Sequence, residues 1–198
     1  MHEIFVNYRT KGGKELAYLC DRALTSRFGP DAVFLARRSI GLGSDYAETL
    51  LRAARHCQAL LVLISEEWLE APDRNDPGGR ALDDPEDWVR REIEEALAAE
   101  ALVVPVFTGR KVEQLPPGRL PRSIAALATR QYIRLELSRF DYDMEQLANR
   151  LTRQLPGLAM LDAIHARAGV SVSPREPVGC SDDRTRRRPG AARHHRTA

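Results

Sequence analysis

Residues 86–97 read EDWVRREIEEAL, and at 3.6 residues per turn this segment sets Trp88 and Glu92 one turn apart on a single helix face. Val89, Ile93 and Leu97 supply its i, i+4, i+8 apolar stripe, so the pair flanks the surface that packs on a core. A carboxylate beside an aromatic ring at such a boundary is a candidate site. Alone it is not enough, because a helix glutamate is ordinarily solvated and a lone tryptophan ordinarily covers a core edge. The pair becomes chemistry only if other elements bring partners to it.

Competing chemistries fail to assemble. His2, His56, His165, His194 and His195 are scattered. Cys20, Cys57 and Cys180 are odd in number, widely spaced and free of any C-x-x-C, which indicates neither a disulfide framework nor a zinc site. There is no Walker loop and no Ser-His-Asp arrangement. The G-x-G of IGLGSDY has Tyr46 at its third glycine position and does not open the chain's first strand, so it departs from a dinucleotide-binding turn. The first strand ends in Asn7, Tyr8, Arg9, without the acidic cluster that holds a metal in a phosphoryl-accepting receiver domain. No metal and no resident cofactor are expected.

A chain of 198 residues with 43% hydrophobic and 29% charged residues is long enough to bury a core without staples. No apolar run reaches the ~18 residues of a membrane span, and MHEIFVNYRT is unlike a signal peptide, so the expected location is cytoplasmic. The net charge of +2 hides an asymmetry: residues 175–198 hold seven Arg and three acids, which leaves residues 1–174 at −2. The body is thus not an electrostatic nucleic-acid binder, and the Arg186, Arg187, Arg188 run reads as part of a solvated tail. The expected division is a domain over 1–158 and a largely disordered basic extension over 159–198.

Strands are expected at 3–8, 32–36, 59–65, 101–109 and 131–137, and helices at 13–28, 45–57, 86–97 and 140–155, with a short helix at SIAALAT. Ser44 and Asp84 are the expected caps of the second and third helices. ALLVLIS shows no alternation, as a central parallel strand covered on both faces requires. Alternating strands and helices specify an α/β fold, an open five-stranded parallel sheet of flavodoxin-like type with helices on both faces. Ligands of such sheets bind beyond the carboxyl ends of the strands. Tyr8 and Arg9, the 36–46 loop, Ser65 and Glu66, and Thr108 and Gly109 stand there, and Trp88 lies near the same edge.

FVNYRT, then VF with RRSIGLGSDYAETLLRAARHCQALLVLISEEWL, then DWVRREIEEAL and VVPVF resemble, in order and spacing, the successive boxes of the Toll/interleukin-receptor (TIR) domain family. The resemblance covers residues 3 to about 155 and implies the same five-stranded fold that the element order gives. It is to the branch in which a Trp followed four residues later by Glu belongs to a site that cleaves NAD+ at the nicotinamide–ribose bond, in bacterial defence or virulence. What it implies here is Glu92 as the catalytic carboxylate, with NAD+ as substrate rather than cofactor. Trp88, Arg9, Tyr8, Arg37, Ser39, Gly43 and Ser65 form the implied substrate-binding set, with Arg9, Arg37 or Arg38 meeting the diphosphate. Other members of the family are adaptors that act by TIR–TIR assembly through the loop after strand two, here residues 37–46, and that reading stays open. The chain departs from the family pattern at Asn7, where a small hydroxyl residue is usual, and at Ala36, where an acidic residue often follows the second strand.

Overall fold

The computed structural model describes residues 2–168 apart from 42, 44, 77 and 110–113, and the backbone alone at 37, 38 and 168. Five strands, β1 (Ile4–Tyr8), β2 (Val33–Phe34), β3 (Ala59–Ile64), β4 (Leu102–Thr108) and β5 (Ile133–Leu135), form one sheet in the order β2-β1-β3-β4-β5. Every pairing is parallel. The chain leaves β1 toward β2 on one side and returns as β3 on the other, which opens a crevice at the carboxyl end of β1. All six residues of β3 are buried, as its unbroken apolar run requires.

Helices cover both faces. On one, α3 (Tyr46–His56), α4 (Trp88–Ala98) and a 3-10 segment (Arg122–Thr129) bury Leu50, Ile93 and Ile124 against Phe5, Leu60, Val62 and Ile64. On the other, α1 (Thr10–Phe28) and α5 (Phe140–Gln154) bury Leu24, Phe28, Leu147 and Leu151 against Val6, Leu61 and Leu63. The inward residues of α1 are Ala17, Cys20, Leu24 and Phe28, whereas Leu16, Leu19 and Ala23, which periodicity points inward, are half-buried. Burial pushes the Cys20 and Cys57 thiols up to about 12, so neither is a nucleophile at neutral pH.

Several boundaries differ from the sequence expectation, each for a local reason. β2 is an edge strand that pairs at only two positions, and Ala36 already opens a short helix, α2 (Ala36–Ser39). Asp45 caps α3 by accepting from Glu48 N at 3.0 Å, in place of Ser44, which lies outside the described residues. Asp87, not Asp84, caps α4: its carboxylate accepts from Arg90 N at 3.0 Å, while Asp84 closes a turn on Glu86 N. A further helix, α6 (Pro156–Ala168), runs through the boundary expected at 158. Leu158 is fully buried and Arg27 grips Asp162 through two hydrogen bonds of 2.9 and 2.7 Å, so ordered packing continues past that boundary; the tail beyond 168 lies outside the described residues.

Candidate active site

Strand alternation turns Phe5 and Asn7 toward α4 and Val6 and Tyr8 toward α1. An asparagine in an otherwise apolar strand must find partners. Asn7 is fully buried, and its Nδ2 donates to Glu92 Oε2 at 2.6 Å and to Val89 O at 3.1 Å. Glu92 is only 7% exposed, yet it lines a cleft of about 1230 Å³ at the carboxyl end of the sheet. It therefore sits inside the buried face of α4 and not at its solvent boundary.

Burial raises the Glu92 pKa from 4.5 to about 8; the Asn7 hydrogen bond opposes this, the Asp87 charge adds to it and the Arg9 charge lowers it. Burial and then the Glu92 charge push the Tyr46 phenol up, which places α3's first residue within electrostatic reach of the carboxylate. A carboxyl held this way is a proton-binding group in the neutral range, as groups at reaction centres often are.

Trp88 lines the same cleft and is 36% exposed. Tyr46 meets it edge-on, with ring centroids 6.3 Å apart, and the Arg91 guanidinium lies 4.9 Å from its centroid. Tyr8 and Arg9 also line the cleft. Arg9, however, is a strut. Its two terminal nitrogens donate to Asp87 at 2.9 Å each and its Nε to Trp68 O at 3.2 Å, so its fork is already occupied by a carboxylate instead of standing open to a diphosphate.

The remaining basic groups that line the cleft are Arg74, in the loop after β3, and Lys11 and Lys14 at the start of α1. Lys11 and Gly12 have non-helical backbone, with Gly12 at φ 77°, so the regular helix begins at Gly13. A Cβ at Gly12 would meet Ser65 Oγ at 3.0 Å, so glycine is what lets the end of β3 approach. At its Thr10 end α1 has no side-chain cap, and Glu15 stands in the first turn of the regular helix that begins at Gly13. Lys11 pairs with Glu67 at 3.1 Å, while Lys14 makes no ion pair among the described residues.

The structure thus brings Glu92, Trp88, Tyr8 and Arg9 to one cleft, but not all of the expected set. Ser39 accepts from Leu35 N at 3.1 Å and faces a separate groove with Phe34, Thr49 and His56, because α2 turns it away from the sheet edge. Ser65 has its Oγ buried without a hydrogen-bond partner, behind Gly12 and outside the cleft lining. Gly43, at φ 80°, is exposed and stands outside the lining as well. The Arg37 side chain lies outside the described residues. Asn7, Asp87, Tyr46 and Lys14 are the site residues that the chain order alone left unassigned.

No group of three or more His, Cys, Asp or Glu side chains able to hold a metal occurs among the described residues, and no described helix is long and apolar enough to cross a membrane. The family model described as the TIR domain matches residues 4–152. No curated protein sequence matches at a significant level. Among solved structures, the chain is similar to a metazoan TIR-STING receptor from C. gigas in complex with 2',3'-cGAMP, at 19% identity and TM-score 0.44 over 73% of this chain and 39% of that one. It thus spans well under half of that receptor. It is also similar to the TIR domains of the activated Roq1 resistosome that recognises the pathogen effector XopQ, at 15% identity and TM-score 0.46 over 83% of this chain and 85% of that one.

Proposed function

The chain belongs to the TIR domain family, and from that premise we propose that it is an NAD+ nucleosidase that breaks the nicotinamide–ribose bond with Glu92 as its catalytic carboxylate. The observation that carries this reading is the cleft-lining, buried Glu92 held by Asn7 beside Trp88. Nicotinamide is cationic in NAD+, so when the C–N bond breaks its electron pair neutralises the ring and no general acid has to protonate the leaving group. Positive charge develops on the ribosyl carbon, and a fixed anion stabilises that state more than the ground state. Water then supplies the hydroxyl that gives ADP-ribose, its proton passing to solvent; capture by an adenine nitrogen gives a cyclic product instead. Trp88 offers the flat wall for the ring. Purified protein incubated with NAD+ is expected to release nicotinamide together with ADP-ribose or its cyclic form. If it consumes no NAD+ even when assembled, the adaptor reading takes the place of this one.

Two kinetic consequences follow from the geometry. With Arg9 committed to Asp87, the diphosphate contact is assigned to Lys14, which lines the cleft and makes no ion pair among the described residues. Lys14→Ala is expected to raise KM by about tenfold with kcat nearly unchanged, the size of one charge-assisted contact; an unchanged KM removes Lys14 from the substrate. The second is the pH profile. Glu92 must be ionised to act, so kcat/KM is expected to rise with pH toward about 8, its value in the free enzyme. In the complex the cationic ring favours the carboxylate, so the kcat limb lies at lower pH. Coincident limbs in the two profiles would place the titrating group elsewhere.

Assembly through residues 37–46 completes the reading, and the cytoplasm is its setting. Gly43 is exposed with open space beyond its α-carbon, which suits a contact with a second copy. Specific activity is expected to climb over an about hundredfold rise in protein concentration and to fall, together with assembly, in Gly43→Trp. A flat response rejects the assembly.

A further inference from the structure

We propose that Asn7 is a positioning residue that fixes the Glu92 carboxylate and the first turn of α4 against the carboxyl end of β1; this rests on the nucleosidase reading only for its catalytic consequence. One amide nitrogen donates to two acceptors on α4, the Glu92 carboxylate at 2.6 Å and the Val89 carbonyl at 3.1 Å. With Glu92 ionised, the reverse amide orientation would set an oxygen against two acceptor oxygens, and the Val89 carbonyl accepts in either state, so the donor side of Asn7 faces α4. Its Oδ1 has no hydrogen-bond partner and is buried, so the donor contacts alone orient the amide. Because Val89 and Glu92 lie three residues apart on α4, the two bonds fix both the depth and the rotation of the helix relative to β1.

Other charged and titratable groups also face the carboxylate. Arg9 reaches it from the end of β1, Asp87 from the cap of α4 and Tyr46 from the start of α3. Arg9 and Asp87 are bound to each other, so their opposed charges largely cancel at Glu92. The hydrogen bond from Asn7 therefore leads the influences that favour the ionised form, in opposition to burial. Asparagine reaches both acceptors from a buried strand.

The test titrates Glu92 directly in the full chain by carboxyl carbon NMR, with Glu92→Gln to assign the signal, in wild type, Asn7→Leu and Asn7→Ser. Asn7→Leu, similar in size and without a donor, is expected to move the Glu92 titration to higher pH by about one unit or more, with Asn7→Ser between it and wild type. Where NAD+ is cleaved, kcat at neutral pH falls about tenfold in Asn7→Leu with KM within about threefold, and the kcat/KM limb follows the NMR titration. A residue that only filled the core would lower the melting temperature without moving the titration. If Asn7→Leu does not fold, Asn7→Ser carries the same readout. An unmoved Glu92 titration in a folded variant overturns the proposal, whether or not the chain is active. A chain that consumes no NAD+ while the titration moves leaves the positioning intact and overturns the nucleosidase reading instead.

Discussion

Glu92→Gln is expected to stop NAD+ cleavage and to stabilise the fold at the same time. The substitution keeps shape and helix propensity, and the glutamine carbonyl can still accept from Asn7 Nδ2. What it removes is the anion that stabilises a developing ribosyl cation, and losing one preorganised electrostatic group costs at least ~10²-fold in turnover. The stability effect has the opposite sign because the carboxyl is buried. Glu92 binds its proton with a pKa of about 8 in the fold against 4.5 for an ordinary solvated glutamate. The folded state therefore holds more protons than the unfolded chain between those values, and stability falls as pH rises through that window. A neutral side chain escapes the loss. Wild type and Glu92→Gln should melt together near pH ~4, and the variant should lead by on the order of a few kcal/mol at pH ~8.

Denaturant unfolding at the two pH values, beside nicotinamide release, separates these claims. Turnover within about threefold of wild type would falsify the catalytic assignment. A variant no more stable at alkaline pH would mean that the carboxylate finds solvation that its 7% exposure denies it. Glu95 is the control on the same helix. Its carboxylate is held by Arg55 through two bonds of 2.8 and 2.9 Å, and that hydrogen bond lowers its pKa. Glu95→Gln should leave turnover unchanged, with a small loss of stability in place of a gain.

The fold was legible because its most buried strand announced itself by composition and the elements around it by their order. The unbroken apolar run at 59–64 could only be a central strand, and the strand–helix alternation around it left few topologies. The 86–97 segment was legible as a helix, and the Trp88–Glu92 pair as a candidate, from period alone. Period could not say how deep Glu92 lies. Its environment is made by a residue 85 positions away, Asn7, and no local pattern encodes that contact. The signal that could have exposed it was polar: an asparagine inside IFVNY demands a partner, and the buried carboxylate answers that demand.

Arg9 misled for a related reason. At a sheet edge an arginine reads as an anion binder, and the anion it binds is Asp87 of its own chain. Ser39 and Ser65 sit at the right ends of the right elements but turn to a backbone N–H and to Gly12. Strand ends specify where a site lies, and side-chain direction decides who is in it. α6 went unread because its apolar residues do not fall on one face: Leu158 is buried while Met160 and Ile164 are exposed.

Asp87→Ala is expected to produce the largest loss of stability in the site and to show why a strut stands where a phosphate ligand was expected. Asp87 does two jobs with one carboxylate. It caps α4 through Arg90 N, and it closes a two-bond fork with Arg9, the two side chains being 13% and 10% exposed. Removing it strands the Arg9 guanidinium, at a cost of about 3 kcal/mol for a mostly buried pair, and removes a cap worth about 1 kcal/mol. For a domain of this size the melting temperature should fall by roughly 10 °C. Asp87→Asn keeps the cap acceptor and one oxygen toward Arg9, so about half of that loss is expected. Arg9→Ala and Asp87→Ala combined should cost clearly less than the sum of the two, since the second substitution removes a group already unpaired; simple additivity would mean that the fork contributes nothing. The same change acts on the chemistry. Asp87 holds the Glu92 pKa up and Arg9 pulls it down, so deleting Asp87 leaves the cation unopposed, and the acid limb of kcat/KM should move to lower pH even as the fold weakens.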